Sequence, residues 1–428
     1  MLFTCAACDN YLKDGGKLGF VITQTLFKTK GAGDGFRRFR LGEVDPLRVV
    51  HVDDLVELNP FEEAANRTAV FVCQKGRETK YPVPYTLWRK KKRARIGVDL
   101  ALSEVGGLVK RANLYAQPVN EAEPTSPWIT ARQRALKALG KVIGESEYQA
   151  RAGSYTGGLN GVHWVRILDK RPDGLVVIEN LHDVGRIKVK RVQMAVEPDL
   201  VYPLLRGRDV MRWRATPSAH IIVSQDPNTR MAYDENWMKI NLPQTYAFFK
   251  QFERELWTRK SQVVRDLMKK SAFYAMYAVA NYTFAPFKVV WREQAAFLTT
   301  AVIGSVEGKP IIPDHKLMLV PFDNEEEAHY VCALLSSSIA QFVVKSYVVE
   351  VSTSTHVLEN IRISKYDFAN PLHQELAALS QRAHELAAKD EKEKLRDVEE
   401  EIDEKAAQLW GLTGEELREI KRSLEELR

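Results

Sequence analysis

At 428 residues the chain is long enough for two or three domains, and a hydrophobic fraction of 45% supplies real cores. A formal charge of +6 permits a nucleic-acid partner without requiring one. No stretch is apolar for long enough to span a bilayer and no signal peptide is visible. Four scattered cysteines (Cys5, Cys8, Cys73 and Cys332) exclude a disulfide framework, so a reducing cytoplasm is expected.

Taken in order, residues 1–13 read as the end of a helix, and Cys5-Ala-Ala-Cys8 within it has metal or redox spacing but no second pair, which favours a buried structural role. Lys13-Asp-Gly-Gly-Lys17 is a turn, and Leu18-Gly-Phe-Val-Ile22 a buried strand. Gly31-Ala-Gly-Asp-Gly35 is a loop leading into a helix over 36–41. Val49-Val-His-Val and Leu55-Val-Glu-Leu are extended, and Thr68-Ala-Val-Phe-Val-Cys73 is a further buried strand. From 77 to about 130 the chain reads as irregular and polar. Tyr81-Pro-Val-Pro-Tyr85 excludes a regular helix, and Trp88-Arg-Lys-Lys-Lys-Arg-Ala-Arg95 is a basic run. A short helix is expected over 129–146, then short strands and helices without repeat to 365. Residues 371–409 read as one long charged helix. Thr413 is a plausible N-cap for another, with Glu416 three residues on.

Enzyme chemistry is hard to find. Pro313-Asp-His-Lys316 lacks the spaced second acid a metal-dependent nuclease needs. The nine histidines show no metal spacing, and no Ser-His-Asp or Cys-His order stands out. No catalytic, cofactor-binding or metal-binding residue is therefore assigned.

The order of motifs is more telling. Tyr11-Leu-Lys-Asp-Gly-Gly-Lys-Leu-Gly-Phe-Val-Ile-Thr23 resembles the fifth strand of N6-adenine DNA methyltransferases. Asp53-Asp-Leu-Val-Glu-Leu-Asn-Pro-Phe61 and Asn66-Arg-Thr-Ala-Val-Phe-Val-Cys-Gln-Lys75 resemble their sixth strand, hairpin turn and seventh strand. Leu204-Leu-Arg-Gly-Arg-Asp-Val-Met-Arg-Trp213 is similar to the target-recognition signature of the gamma class, which includes the methylase–nuclease fusions of type IIG restriction systems. Ile402-Asp-Glu-Lys-Ala-Ala-Gln-Leu-Trp-Gly-Leu-Thr-Gly-Glu-Glu-Leu417 is similar to their helical tail. The resemblance implies that Phe61 stacks on an adenine flipped out of the duplex, where the target amine becomes reachable. The structural alternative is that Phe61 caps the sheet edge.

The family also uses a Gly-rich turn for S-adenosylmethionine and an Asp/Asn/Ser-Pro-Pro-Tyr/Phe loop for the adenine amine. This sequence has no Pro-Pro pair, and Gly31–Gly35 follows the fifth-strand motif, where the cofactor loop does not belong. The expectation is that S-adenosylmethionine belongs to an assembled enzyme, its site carried by a second chain or an N-terminal part.

Reading a duplex takes cations for phosphates and polar forks for base edges. The candidates are Arg206, Arg208, Arg212 and Arg214; Lys260 and Ser261; Tyr282, Lys288 and Arg292; and Ser354 and His356. Each has a structural alternative: Asp209 could lock the arginines in a turn, and the basic run at 257–270 could be a solvated helix face. Tyr155-Thr-Gly-Gly-Leu-Asn-Gly161 is either a phosphate-approaching loop or a hairpin turn.

The expected architecture is α/β. A partial Rossmann-like methyltransferase sheet of late strands (1–80) is followed by a basic linker (81–130), a mixed α/β target-recognition domain (131–370) and C-terminal helices (371–428). The expected role is the double-stranded-DNA recognition portion of an adenine-specific methyltransferase, inactive alone. The alternative is a non-catalytic specificity module or remnant.

Overall fold

The computed structural model describes every residue except 1, 30, 32, 43, 59, 61–66, 92, 93, 95, 98, 186, 296, 348–353, 427 and 428. The fold is mixed α/β, with three main sheets and helices packed on them.

The first sheet contains β1 (Lys17–Thr23), β2 (Arg40–Leu41), β3 (Asp45–Asp54), β4 (Thr68–Lys75), β5 (Val83–Lys90), β6 (Val109–Pro118) and β7 (Trp128–Ala131). Its order is β1-β4-β3-β5-β6-β7, with β2 paired to β3. The strand with seventh-strand sequence is thus inserted between the fifth-like and sixth-like strands, antiparallel to both. Alternation in β4 buries Ala69, Phe71 and Cys73 on one face. There they meet an aromatic cluster of Phe27, Phe36, Phe39 and Trp128, with Phe27 and Trp128 stacked at 4.7 Å. Arg37 is buried beside them, its guanidinium donating to the carbonyls of Leu26, Thr29 and Thr125 and pairing with Asp34.

Several expectations change here. The helix expected over 36–41 is a 3₁₀ turn, Phe36–Arg38, followed by β2; the extended piece expected over 55–58 is a turn; and the helix expected over 129–146 is confined to Gln133–Leu139, after β7. Leu18–Ile22 is an edge strand, paired only with β4 among the described residues. Only Ile22 of β1 is fully buried, and Val21 stands half exposed. Residues 77–130, expected to be irregular, supply β5, β6 and most of β7. Pro84 is tolerated because pairing with β3 starts one residue later, at Tyr85, so the missing N–H falls where β5 has no neighbour on that side.

The second sheet runs in the order Gln193–Val196, Val176–Asn180, Trp164–Lys170, Ala219–Ile222, Val201–Leu205, Ile312–Pro313. Four short helices between Glu235 and Lys270 share its core through Phe248, Phe249, Phe252, Leu256, Val264 and Met268. The third sheet joins Thr300–Ile303, Phe287–Arg292, Leu317–Phe322 and Arg151–Ala152. Against it lie helices Glu325–Ser336 and Ser338–Tyr347, and then the tail.

The tail is not one helix over 371–409. Pro371–Ala388 and Lys392–Leu409 are separate helices joined by a turn in which Asp390 takes a φ of 56°. Leu376, Ala383 and Leu386 on the first and Val398, Ile402 and Ala406 on the second are buried in one core, which a straight helix could not bring together. The third tail helix, Gly414–Glu426, starts as expected: Thr413 Oγ accepts the Glu416 N–H at 3.2 Å and Glu416 accepts the Thr413 N–H at 2.7 Å. Ion pairs from Arg132 to Glu426 and Lys141 to Glu416 tie it to the segment after β7.

Candidate nucleic-acid interface

β3 and helix Ser338–Tyr347 both end at one buried polar cluster. β3 ends at Asp54 and passes through a turn at 56–58 toward Phe61, which lies outside the described residues. Helix Ser338–Tyr347 precedes Ser354 in the chain, with 348–353 outside the described residues. Burial lowers the Lys345 ammonium; Glu57 in the turn opposes the shift, and Arg89 and Arg67 add to it. Arg89 in turn pairs with Glu57 at 3.0 Å.

The polar cluster fixes both ends. The Lys28 Nζ donates to Thr130 Oγ1 at 2.8 Å and to the Ser346 carbonyl at 2.6 Å, so it holds the end of the helix onto the first sheet. Burial pulls its pKa down to about 7, against the pull of Asp54. Asp54 accepts from Gln24 Nε2 at 3.0 Å and from the Tyr85 hydroxyl, and burial raises the latter well above the ordinary phenol value.

A groove of about 490 Å³ opens where the second and third sheets meet. Arg151, Arg230, Tyr277 and Tyr282 line it, Val263 and Leu267 of helix Gln262–Lys270 form a wall, and Thr355 sits at one end. The Arg151 guanidinium lies 6.0 Å over the Tyr282 ring. At Ala150 and Thr355 the groove meets a larger one of about 900 Å³, whose lining includes Glu121, Glu123, Glu145 and Glu359 and, among the described residues, a single cation, Arg362. One cleft therefore has a basic, aromatic arm and an acidic arm.

The sequence candidates divide against this geometry. Tyr282 lines the basic arm. Ser354 and His356 flank Thr355, but the Ser354 hydroxyl caps the following 3₁₀ turn and His356 pairs with Glu359. Lys260 is exposed and Ser261 half-buried, and both lead into the helix that walls the groove. Arg208 and Arg214 are exposed, Arg208 with 72% of its side chain free. Arg206 is buried, bound to Asp209 and Ser218. Arg212 pairs at 2.6 Å with Glu399 of the tail, which also accepts the buried Trp213 indole N–H at 2.7 Å. Arg292 is half-buried at the end of its strand. Lys288 is fully buried, donating to the Ala285 carbonyl, and burial brings it down to about 7.

The Gly157–Gly158 loop is a structural turn. Arg259, itself buried, donates to Thr156, Phe273 and Ala275 carbonyls and packs so tightly on Gly157 that a Cβ there would lie 2.6 Å from its Cδ. Pro313-Asp-His-Lys316 is likewise structural: the Asp314 N–H bonds to Leu205 and its carboxylate accepts from Lys316 N–H. Among the described residues no group of three or more His, Cys, Asp or Glu could hold a metal. Cys8 instead packs its Sγ 3.6 Å from Cys73 in the first core. Arg151, Arg230 and Tyr277 escaped the sequence reading because each stands alone in its segment, without a neighbouring basic run.

No family model matches the sequence. A stretch of 154 residues is 26% identical to the type II methyltransferase M.NspV of Nostoc sp. (strain ATCC 29411 / PCC 7524), covering 36% of this chain and 31% of that protein. The chain is related to the methyltransferases of restriction–modification systems. Its fold matches that of the type IIL restriction–modification enzyme MmeI, solved in complex with DNA, with a TM-score of 0.52 and 10% identity over 96% of this chain and 50% of that one. The type IIG restriction endonuclease BpuSI aligns at a TM-score of 0.35 and 15% identity, over 97% of this chain and 47% of that one. The chain therefore spans about a third of its curated relative and about half of MmeI. No described helix is long and apolar enough to cross a membrane.

Proposed function

We propose that this chain is the DNA-recognition portion of a site-specific N6-adenine DNA methyltransferase. It would hold a flipped adenine while the cofactor site comes from another chain or another part of the same protein. The observation that carries this reading is the buried polar cluster in which Lys28 holds the end of helix Ser338–Tyr347 and Gln24 holds Asp54 at the end of β3, on a chain related to restriction–modification methyltransferases. In this reading Phe61 stacks on the extruded base. The first 80 residues complete a methyltransferase sheet, 131–370 read the target, and 371–428 brace the reader. Segment 81–130, cast as a basic linker, is better taken as part of the sheet.

S-adenosylmethionine, the methyl donor the family implies, does not fit the glycine-rich segment. A Cβ at Gly33 would lie 2.3 Å from the Arg37 guanidinium and 2.5 Å from the Leu26 carbonyl, so the chain's own arginine fills that space. No step through the cofactor is derived from these residues. The open edge of β1, with Leu2, Phe3 and Tyr11 exposed on the nearby helix, is the surface on which the cofactor-bearing part would dock.

Electrophoretic retention of unmethylated duplex fragments tests the recognition role. The purified chain should shift duplex DNA in the presence of excess heparin and release it as salt rises. Failure to retain DNA at low salt would sink the proposal.

A further inference from the structure

The basic arm of the cleft has features that neither its fold nor the family resemblance requires. Arg230 is exposed, and its side chain has no hydrogen-bond or ion-pair partner among the described residues. Tyr277 leaves 47% of its surface exposed at the groove, while its backbone is pinned to Tyr155 by two hydrogen bonds of 2.9 Å. The groove also holds two of the six described non-glycine residues with positive φ: Arg230 at 57° and Ala278 at 57°. A left-handed conformation costs an L-residue about 1 kcal/mol or more, and such strain persists where the surroundings impose it. Here it presents an unpaired guanidinium and a rigidly held aromatic ring to the same space. Arg151 flanks them from the third sheet, its guanidinium against the Tyr282 ring.

We infer that this arm grips the sugar–phosphate backbone of duplex DNA, with Arg151 and Arg230 on phosphates and the Tyr277 ring packed on a deoxyribose between them. The inference rests on the DNA-recognition reading above and places the backbone within it. Cations and tyrosines are the side chains that hold phosphate and sugar. The acidic arm sets the limit of the path: Glu121, Glu123, Glu145 and Glu359 repel phosphates, so the strand leaves the cleft near Thr355 and does not follow it toward β6.

Binding of a labelled random-sequence duplex, followed by fluorescence anisotropy across a salt series, separates these roles. Each phosphate contact contributes a slope of about −0.9 in log K against log salt. Arg151→Ala and Arg230→Ala should each flatten the slope by about one unit, and Arg230→Lys should restore it. Tyr277→Leu should weaken binding about tenfold with the slope unchanged. Glu121→Gln with Glu123→Gln should leave the slope as it is. If the unaltered chain binds no duplex, the recognition reading itself fails. If it binds and both arginine variants keep its slope and affinity, recognition stands and this groove is not where it occurs. Circular dichroism of each variant separates lost contacts from lost fold.

Discussion

Ala278 shows how much a single residue reveals. Its φ of 57° is a conformation glycine takes without cost, so Ala278→Gly should raise the free energy of unfolding by about 1 kcal/mol in urea titrations. A loss of stability would mean that the backbone there is not left-handed. The arginines of Arg206–Arg214 were legible as a cluster but not as individuals, because sequence cannot tell a guanidinium that faces water from one locked by Asp209 and Ser218. Arg206→Ala should cost about 1–3 kcal/mol, because the Asp209 carboxylate, its side chain 7% exposed, loses its nearest guanidinium and keeps the Ser218 hydroxyl and the residue-206 N–H. Arg208→Ala should cost nothing measurable in stability and weaken DNA binding. Lys288 looked like a phosphate contact from its aromatic neighbours, yet it lies inside the third sheet. Its folded pKa of about 7 is below the ordinary 10.5, so the unfolded chain binds a proton that the folded chain lacks between those values. Stability from this site is complete above the unfolded pKa and is lost as pH falls toward 7. Lys288→Met should therefore stabilise the protein near neutral pH by about 1 kcal/mol and flatten the rise of stability toward alkaline pH. Lys28, lowered to about the same value, would keep part of that rise.

Elements were legible where pattern and punctuation agreed. β4, the middle of β3 at 49–52 and the start of the last helix were legible, the last from Thr413 with Glu416, while 55–58, expected to be extended, is a turn. β5 and β6 did not, because Pro82 and Pro84 argue against a strand and the basic run against burial. Only the pairing partner shows that Pro84 falls outside the ladder with β3. The tail was read as one helix because its charged surface continues past Lys389-Asp390, while the turn depends on a single residue taking positive φ. Glu399, on the second tail helix, holds both Arg212 and the indole of Trp213. Glu399→Ala leaves a buried N–H without an acceptor and should cost about 1–3 kcal/mol in chemical denaturation. Unchanged stability would show that the tail does not brace the 206–214 loop.

At the scale of the molecule, three sheets and a helical tail bring the ends of β3 and of helix Ser338–Tyr347 to one buried polar cluster and open a cleft of opposite charges between the second and third sheets. Neither was visible in sequence order, since the cleft is lined by residues from Gln117 to Arg362. The relatedness to restriction–modification methyltransferases gives this geometry its meaning, and the proposed chemistry is open to a direct test. The measurement is methyl transfer from labelled S-adenosylmethionine to unmethylated genomic DNA, made with the chain alone and with the chain joined to a cofactor-binding methyltransferase half. A recognition role predicts silence from the chain alone and N6-methyladenine at one recurring sequence from the combination, lost on Phe61→Ala. Label on cytosine N4, or adenine methylation that Phe61→Ala leaves untouched, would contradict it.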